Sequence, residues 1–136
     1  MRLSLVPMLI LLCAAPTQAQ NGPCTESAIK QGKLPAADDL FAYMPPYGKP
    51  VVGKSATQAA NAKSFSDRTN ITRSWVGDHR IVSTPSADMA YEYGTVKMGY
   101  DEGGKHNEFE AVMLIVYKAK DGVCQTVALT MQPLEK

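Results

Sequence analysis

The sequence predicts one α+β domain in which a helix precedes an antiparallel sheet. Three observations support this fold class. An alanine-rich segment with a helical spacing of apolar residues ends near residue 68, four segments typical of β-strands follow it, and the turns between those strands are short. Strands joined by short turns form an antiparallel meander, and the helix before them must cover one face of the sheet. No internal repeat, linker or second domain is evident in the sequence.

The N-terminal segment has the order of a secretory signal peptide. Arg2 precedes an apolar run over residues 3–15, and small residues precede an expected cleavage site after Ala19. The run is shorter than the ~20 residues that a helix needs to span a bilayer. A lipid anchor on Cys13 is the alternative, but a lipoprotein signal has a small residue before its cysteine, and Leu12 occupies that position. We therefore predict a secreted or periplasmic protein.

Signal cleavage would leave a single domain over residues 20–136, which is enough chain for one hydrophobic core. The 14 Lys and Arg residues nearly balance the 13 Asp and Glu residues, and the basic residues do not cluster. Nucleic acids and anionic membranes both require a sustained positive surface. The sequence therefore predicts no nucleic-acid partner and, after signal cleavage, no membrane partner.

Cys24 and Cys124 remain after signal cleavage and allow two interpretations. In an oxidising compartment they could form a disulfide, which would stabilise the fold by up to about 4–5 kcal/mol in the chain-entropy model. Alternatively, Cys124 is a buried thiol and Cys24 is a free thiol on a mobile end. The chain lacks a C-x-x-C pair, so a redox site like that of thioredoxin is not expected.

Short elements and turns are predicted before residue 68. The segment "CTESAIKQG" is expected to form a short helix that Thr25 caps and Gly32 ends. A strand in "DDLFAYM", a hairpin tip in "PPYGKP" and a brief return strand in "VVG" follow. Gly53 then separates this return strand from the helix predicted in "KSATQAANAKSFSDR".

Four longer strands are predicted after this helix. They are "NITRSWVGDHRIVST", with a bend at Gly77, then "SADMAYEYGTVKMGY", "HNEFEAVMLIVYKAK" and "VCQTVALTMQPL". The intervening "DEGGK" and "DG" are typical hairpin loops. In "HNEFEAVMLIVYKAK", Glu108 and Glu110 alternate with apolar residues, so we expect the apolar side chains to face the core and the two glutamates to face solvent.

Three motifs, "MPPYGKPVVGKSA", "SADMAYEYGT" and "VYKAKDGVCQTVALTMQPL", resemble the nuclear transport factor 2-like superfamily. The most similar branch is that of the SnoaL-like and ketosteroid-isomerase-related domains, especially secreted members of unknown function. The resemblance implies a cone, that is, a strongly curved antiparallel sheet packed against helices, with a pocket in its concavity. It also implies a homodimer formed through the outer face of the sheet. It does not determine the function, because the same cone serves isomerases, cyclases, hydrolases and binding modules.

Two features depart from the family pattern. Only residues 20–37 precede the first strand, where the family has a long helix or a helical pair. The N-terminal helical region should therefore be short, and the pocket either shallow or completed by a partner. The second departure is Cys124, which stands where the closing hairpin of the family has a tryptophan. A cysteine at this position is free to bond Cys24.

The isomerase branch carries its carboxylate base at the end of the first strand, and the corresponding residue here is Met44. A thioether cannot accept a proton, so ketosteroid-isomerase chemistry is not predicted. We interpret Asp88 as a residue that closes a turn. His79, which shares a strand face with Trp75, is expected in water at the end of its strand. We therefore predict no catalytic residue, and an isomerase or lyase-like enzyme that uses Asp88 or His79 is the alternative.

Metal and cofactor sites are not predicted either. His79 and His106 are the two histidines, and they lie on different predicted elements without convergent cysteines. The sequence contains neither a G-x-S-x-G elbow nor a glycine-rich loop that leads into a helix and could bind phosphate.

Aromatic and methionine side chains are candidates for the walls of the pocket. The candidates are Tyr43, Trp75, Tyr91, Tyr93 and Met113, with Phe41 and Met131 beside them. Apolar walls with a few hydroxyl groups suit a small, mostly apolar ligand. The alternative is that these residues fill the core of a purely structural dimerisation domain. We predict a secreted module that binds such a ligand without catalysis.

Overall fold

The structure is a computed structural model that describes residues 22–135, and these residues form an α+β fold, as predicted. The elements are α1 (Glu26–Lys30), β1 (Ala36–Tyr43), the 3₁₀ helix η1 (Pro45–Tyr47), β2 (Val51–Val52), α2 (Lys54–Ser64), β3 (Arg68–Ser83), β4 (Met89–Glu102), β5 (Lys105–Lys120) and β6 (Val123–Pro133). The predicted signal peptide and Cys13 lie outside the described residues. Within residues 22–135, no helix is long and apolar enough to cross a membrane.

All six strands belong to one sheet with the order β2-β1-β6-β5-β4-β3. Strands β3 to β6 form the predicted antiparallel meander, and β1 and β2 form the predicted hairpin around η1. One pairing was not predicted: β1 lies parallel to β6 and joins the hairpin to the meander.

The hairpin turns have the backbone conformation that their sequences favour. Gly103 and Gly104 between β4 and β5, and Asp121 and Gly122 between β5 and β6, all have positive φ angles, from 51° to 76°. Two successive residues with positive φ make a type I′ turn, whose twist matches that of the strands it joins. The predicted hairpins are therefore confirmed.

The two faces of the sheet have different roles, which follow from the alternation of side chains along each strand. We call the face that bears the buried Val96, Met113 and Met131 the inner face, and the opposite one the outer face. On β5 the predicted pattern is confirmed, since Ala111, Met113, Ile115 and Tyr117 are buried and both glutamates are exposed. Helix α1 and the residues after it lie on the inner face.

The N-terminal segment is attached to the sheet covalently. Cys24 and Cys124 form a disulfide with their Cα atoms 5.0 Å apart, and both residues are buried. The backbone N–H of Cys24 also donates to the carbonyl of Ala87 at 2.8 Å. Of the two interpretations of the cysteines, the disulfide is the one observed, and it agrees with an oxidising compartment. Thr25 caps α1 as predicted, since its hydroxyl accepts from the N–H of Ala28 at 3.2 Å.

Strand β3 contains a bulge at the predicted bend. Val76 pairs with Thr95 and His79 pairs with Gly94, so Gly77 and Asp78 have no partner on β4. Gly77 has a φ of 66°, a conformation that glycine adopts at little cost. The bulge makes Trp75 and His79 adjacent on the inner face, although they are four residues apart in sequence.

Candidate functional site

A cavity of about 440 Å³ opens on the inner face of the sheet. Strands β3, β4, β5 and β6 form its floor, and α1 with the turn after it forms one wall. Its apolar walls are Ile29, Leu34, Trp75, Ile81, Ile115 and Leu129. Polar groups come from Lys30, Arg73, His79, Glu92, Tyr117 and Thr126. A few polar groups among apolar walls are typical of small-molecule sites.

Three of these polar residues form a hydrogen-bonded group that we call the His79–Glu92–Tyr117 cluster. Glu92 Oε1 lies 2.6 Å from His79 Nε2, and Glu92 Oε2 accepts a hydrogen bond from the Tyr117 hydroxyl at 2.5 Å. Glu92 is only 8% exposed. A carboxylate so deeply buried is costly unless it is hydrogen-bonded, and here each of its oxygens has a partner.

The strand register explains how these three side chains meet. On the inner face, the direct neighbours of Glu92 are Ile81 on β3 and Ile115 on β5. His79 and Tyr117 occupy the diagonal positions on the same two strands, which long side chains can reach. The carboxylate therefore lies between two apolar side chains and forms its hydrogen bonds along a diagonal of the sheet.

The imidazole of His79 is held from one side by Trp75. Their ring centroids are 4.1 Å apart and their planes are within 9° of parallel. Gly94, opposite His79, leaves room for this stack, because a Cβ atom there would lie 3.2 Å from Trp75 Cε3 and 3.0 Å from the carbonyl oxygen of Asp78. The stack and the hydrogen bond to Glu92 together determine the orientation of the imidazole.

Tyr117 remains a hydrogen-bond donor over the whole physiological pH range. Burial, and then the hydrogen bond to the Glu92 carboxylate, raise the pKa of its hydroxyl well above the usual value, and the positive charge of Arg73 opposes this only in part. Because this hydroxyl donates to Glu92 Oε2, the other oxygen of Glu92 is left to pair with His79 Nε2.

This arrangement is suited to holding a histidine as an acid or a base. When Nε2 of His79 donates to the carboxylate, Nδ1 carries the lone pair that can accept a proton. The carboxylate then stabilises the imidazolium that results, which is the usual way in which an acid residue supports a histidine base. The His79 side chain is 27% exposed, so its imidazole remains accessible from the cavity.

The predicted pocket residues occupy three different environments. Trp75 lines the cavity. Met113 is 1% exposed and packs in the core, as does Met131. Tyr43, Tyr91 and Tyr93 are about 40% exposed and lie on the outer face, as does Phe41, so we correct their assignment as pocket walls. The correction follows from alternation, since the inner face of β4 is formed by Ala90, Glu92, Gly94 and Val96.

The remaining candidates lie away from the cavity. Asp88 is exposed and accepts hydrogen bonds from the hydroxyls of Thr84 and Ser86, so it stabilises the β3–β4 turn, as interpreted from the sequence. His106 is exposed near the β4–β5 turn, with Nδ1 2.7 Å from Asp101. Met44, at the position of the family's base, is buried in the core. Within residues 22–135, no group of three or more His, Cys, Asp or Glu side chains is arranged to hold a metal ion.

Sequence reasoning missed Glu92, Arg73 and the proximity of Tyr117 to them. A signal for Glu92 was present: it has the same strand parity as Ala90 and Val96, whereas the residues on the other side of this strand include two tyrosines. A charged residue on the small and apolar side of a strand is a candidate for a buried functional group.

No protein-family model and no curated protein matches the chain. Solved structures are similar to it. A ketosteroid isomerase-like protein from Erwinia carotovora atroseptica is 17% identical, with a TM-score of 0.61 over 81% of this chain and 88% of that one. An NTF2-like protein of unknown function from Prochlorococcus is 16% identical, with a TM-score of 0.59 over 75% and 76% of the two chains. An NTF2-like protein from Cytophaga hutchinsonii is 18% identical, with a TM-score of 0.53 over 78% and 82%. At such identities the similarity shows the fold alone, which is NTF2-like.

Proposed function

We propose that this NTF2-like fold binds a small, mostly apolar molecule in the cavity of its inner face and that binding, without catalysis, is its function. The observation that carries the proposal is the cavity itself. Its volume of about 440 Å³ lies within the range of about 300–1,000 Å³ that is usual for small-molecule sites. A domain that served only as a scaffold would be expected to fill this space with side chains.

The N-terminal segment supports the proposal because it keeps one wall of the cavity in place. Ile29 and Leu34 contribute apolar surface to that wall, and the disulfide of Cys24 holds the segment to β6. A preformed wall reduces the entropy that a ligand must remove on binding. The short N-terminal region therefore still forms one wall of the cavity.

The test uses Trp75, which lines the cavity and is the single tryptophan of the chain. Small apolar compounds that bind there should change its fluorescence. Ile115→Phe should reduce their affinity by filling the cavity. Val112→Phe is the matched control, because Val112 lies on the same strand with its side chain exposed on the outer face. Equal effects of the two variants, or compounds that bind wild type without any response from Trp75, would contradict the proposal.

A second candidate function is proton transfer on the bound molecule, as in an isomerase or a lyase. The His79–Glu92–Tyr117 cluster favours it, whereas Asp88 lies too far from the cavity to take part. In this function His79 Nδ1 removes a proton from a carbon next to a carbonyl group, and Glu92 stabilises the imidazolium. The proton then returns to a different carbon of the same molecule, or a leaving group departs.

The second candidate is tested by deuterium incorporation into small ketones in D₂O, followed by NMR. Cyclohexanone and phenylacetone are suitable probes, since each carries exchangeable protons beside its carbonyl. Exchange above the buffer rate that His79→Gln abolishes and His106→Gln preserves would establish the activity. Ligands that bind near Trp75 and never exchange would leave the cavity as a binding site alone.

We also propose that two copies of the chain pair through the outer face. Two rows of paired residues cross five strands of this face. One row is Phe41, Ala128, Val116, Tyr91 and Val82, and the other is Tyr43, Thr130, Leu114, Tyr93 and Arg80. Exposed apolar surface of this extent usually marks an interface, and a self-complementary face suits a two-fold dimer.

Sedimentation of the wild type and two variants tests the dimer. Leu114→Glu places a charge in the middle of the rows and should give a monomer. Val123→Glu makes the same kind of change at a similarly exposed apolar residue outside the rows, so it should sediment as the wild type does. A wild-type monomer at high protein concentration would overturn this assignment.

A further inference from the structure

One positively charged side chain of the cavity, Arg73, takes no part in the His79–Glu92–Tyr117 cluster. Arg73 lies on β3, two residues before Trp75 and on the same inner face, and it lines the cavity. Its Nη1 atom is 3.9 Å from the sulfur of Met113, a residue that is 1% exposed. The guanidinium is therefore directed over the core of the inner face.

Within the described part of the chain, Arg73 forms no ion pair. Three other basic side chains form ion pairs: Arg68 with Glu102, Lys97 with Glu108, and Lys30 of the cavity wall with Glu26 at 2.6 Å. A thioether is a weak hydrogen-bond acceptor, so Met113 satisfies little of the five-donor capacity of the guanidinium. A positive charge beside apolar walls is thus left for an incoming group.

Glu92, an acidic residue of the cavity lining, forms its hydrogen bonds elsewhere and is not paired with Arg73. Its two oxygens contact His79 Nε2 and the hydroxyl of Tyr117. An anionic ligand would therefore meet the guanidinium of Arg73 without an ion-pair partner among the described residues.

We propose that the ligand of this cavity is a small monocarboxylic acid, whose carboxylate binds Arg73 and whose apolar body packs against Trp75 and Ile115. This inference rests on the proposed binding function and names its ligand class. A planar carboxylate matches the fork of a guanidinium in two parallel hydrogen bonds. One guanidinium also balances one negative charge, which favours a carboxylate over a doubly charged phosphate. The polar end of the molecule is thereby placed beside β3.

The experiment measures binding of matched acid and amide pairs to the mature chain by Trp75 fluorescence and by calorimetry. The probes are 3-phenylpropionate with 3-phenylpropanamide and hexanoate with hexanamide, since each pair differs only in the charge of its head group. The wild type should bind each acid about tenfold or more tightly than its amide, because hydrogen bonds to charged groups are worth that much.

Variants assign this preference to Arg73. Arg73→Gln should remove the preference for the acids and leave the affinity for the amides unchanged, and Arg73→Lys should retain part of it. Arg68→Gln is the matched control, because Arg68 lies on the same strand and binds the exposed Glu102, away from the cavity lining and from the rows of the outer face. Thermal unfolding of all three variants near the wild-type temperature would show that the fold is intact.

The outcomes separate the two proposals. Amides that bind as tightly as acids, with binding that Ile115→Phe reduces, would overturn the carboxylate inference and leave the binding function standing. Equal losses in Arg73→Gln and Arg68→Gln would overturn it too, since a general effect of charge would then explain the preference. If neither member of any pair binds to the wild type, both proposals fail.

Discussion

Trp75 and His79 stack face to face at 4.1 Å because the bulge at Gly77 and Asp78 removes the residues between them from the β3–β4 pairing. In a regular strand, one more inward-facing residue, at position 77, would lie between the two rings. The stack brings an indole, an imidazole and, through the imidazole, the Glu92 carboxylate into one contiguous group. An irregularity in one strand therefore assembles the polar part of the cavity.

Gly94→Ala should disturb this stack. The new Cβ would lie 3.0 Å from a backbone oxygen and 3.2 Å from the indole of Trp75, and backbone cannot move away cheaply. We expect a loss of about 1–2 kcal/mol in the free energy of unfolding and a changed near-ultraviolet circular dichroism band of Trp75. Gly99→Ala is the control for this band, since its Cβ would lie 2.7 Å from Thr72 Oγ1 and away from Trp75, so it can strain the strand but should leave the tryptophan band unchanged. An unchanged tryptophan band in Gly94→Ala would refute the idea that Gly94 leaves room for the Trp75–His79 stack.

Glu92→Ala should be among the more destabilising substitutions in the chain. It leaves the buried hydroxyl of Tyr117 and the imidazole of His79 without their acceptor. The expected cost is about 2–4 kcal/mol in urea-induced unfolding. Glu110→Ala on the outward side of β5 should change stability by no more than about 0.5 kcal/mol. Similar values for the two variants would mean that the cluster contributes little to the fold.

Stability should decline at alkaline pH partly because of Tyr117. Its pKa is raised in the folded state, so the unfolded chain loses this proton first. The contribution is complete below the ordinary tyrosine pKa of about 10 and is lost as pH rises from there towards the folded-state value. Tyr117→Phe should flatten the fall in unfolding free energy between about pH 9 and about pH 11 relative to the wild type. A fall that is as steep in Tyr117→Phe as in the wild type would show that Tyr117 does not contribute to it.

His106 should titrate above the ordinary value. The hydrogen bonds of its ring to Asp101 and then to Glu108 raise its pKa. The chain has two histidines, so NMR can follow each one during a titration. Asp101→Asn should lower the pKa of His106, whereas Glu102→Gln, at the neighbouring exposed acid that binds Arg68, should leave it unchanged. Stabilisation from this contact should be present below about pH 6.5 and should vanish as pH passes the raised pKa.

Removal of the disulfide should open the wall of the cavity. The double variant Cys24→Ser/Cys124→Ser is expected to lose about 2–5 kcal/mol of stability, and the amides of α1 should exchange faster with solvent than those of β5. Non-reducing mass spectrometry of the wild type, expressed with its full N-terminal segment, checks the bond and, through the N-terminal residue, the predicted cleavage after Ala19. Two free thiols in that sample would refute the disulfide.

Local patterns in the sequence were sufficient to predict the meander, both hairpin turns and the cap of α1. In each case the deciding interactions lie within a few residues, such as Thr25 with Ala28. The parallel pairing of β1 with β6 was not predicted, because neither strand carries a local signal for a partner so distant in sequence.

The site was harder to predict than the fold, because it depends on which residues of each strand face inward. Tyr91, Glu92 and Tyr93 are consecutive, and a shift of one residue decides which of them face the cavity. Aromatic character favoured the tyrosines, yet Ala90 and Gly94 place the glutamate on the inner face. Arg73 gave no signal, because an arginine in a strand is normally a solvent-facing residue.

The parallel contact of β1 with β6 also has a consequence for the order of folding. The meander from β3 to β6 is built from contacts between strands that are neighbours in sequence, whereas the N-terminal segment must wait for β6, and Cys24 for a partner 100 residues away. Closing so long a loop is slow, because its entropy is lost before any contact compensates for it. We expect pulse-labelling hydrogen exchange to protect β4 and β5 first and β1 last. The cavity would then gain its final wall only at the end of folding, after the whole chain has been made.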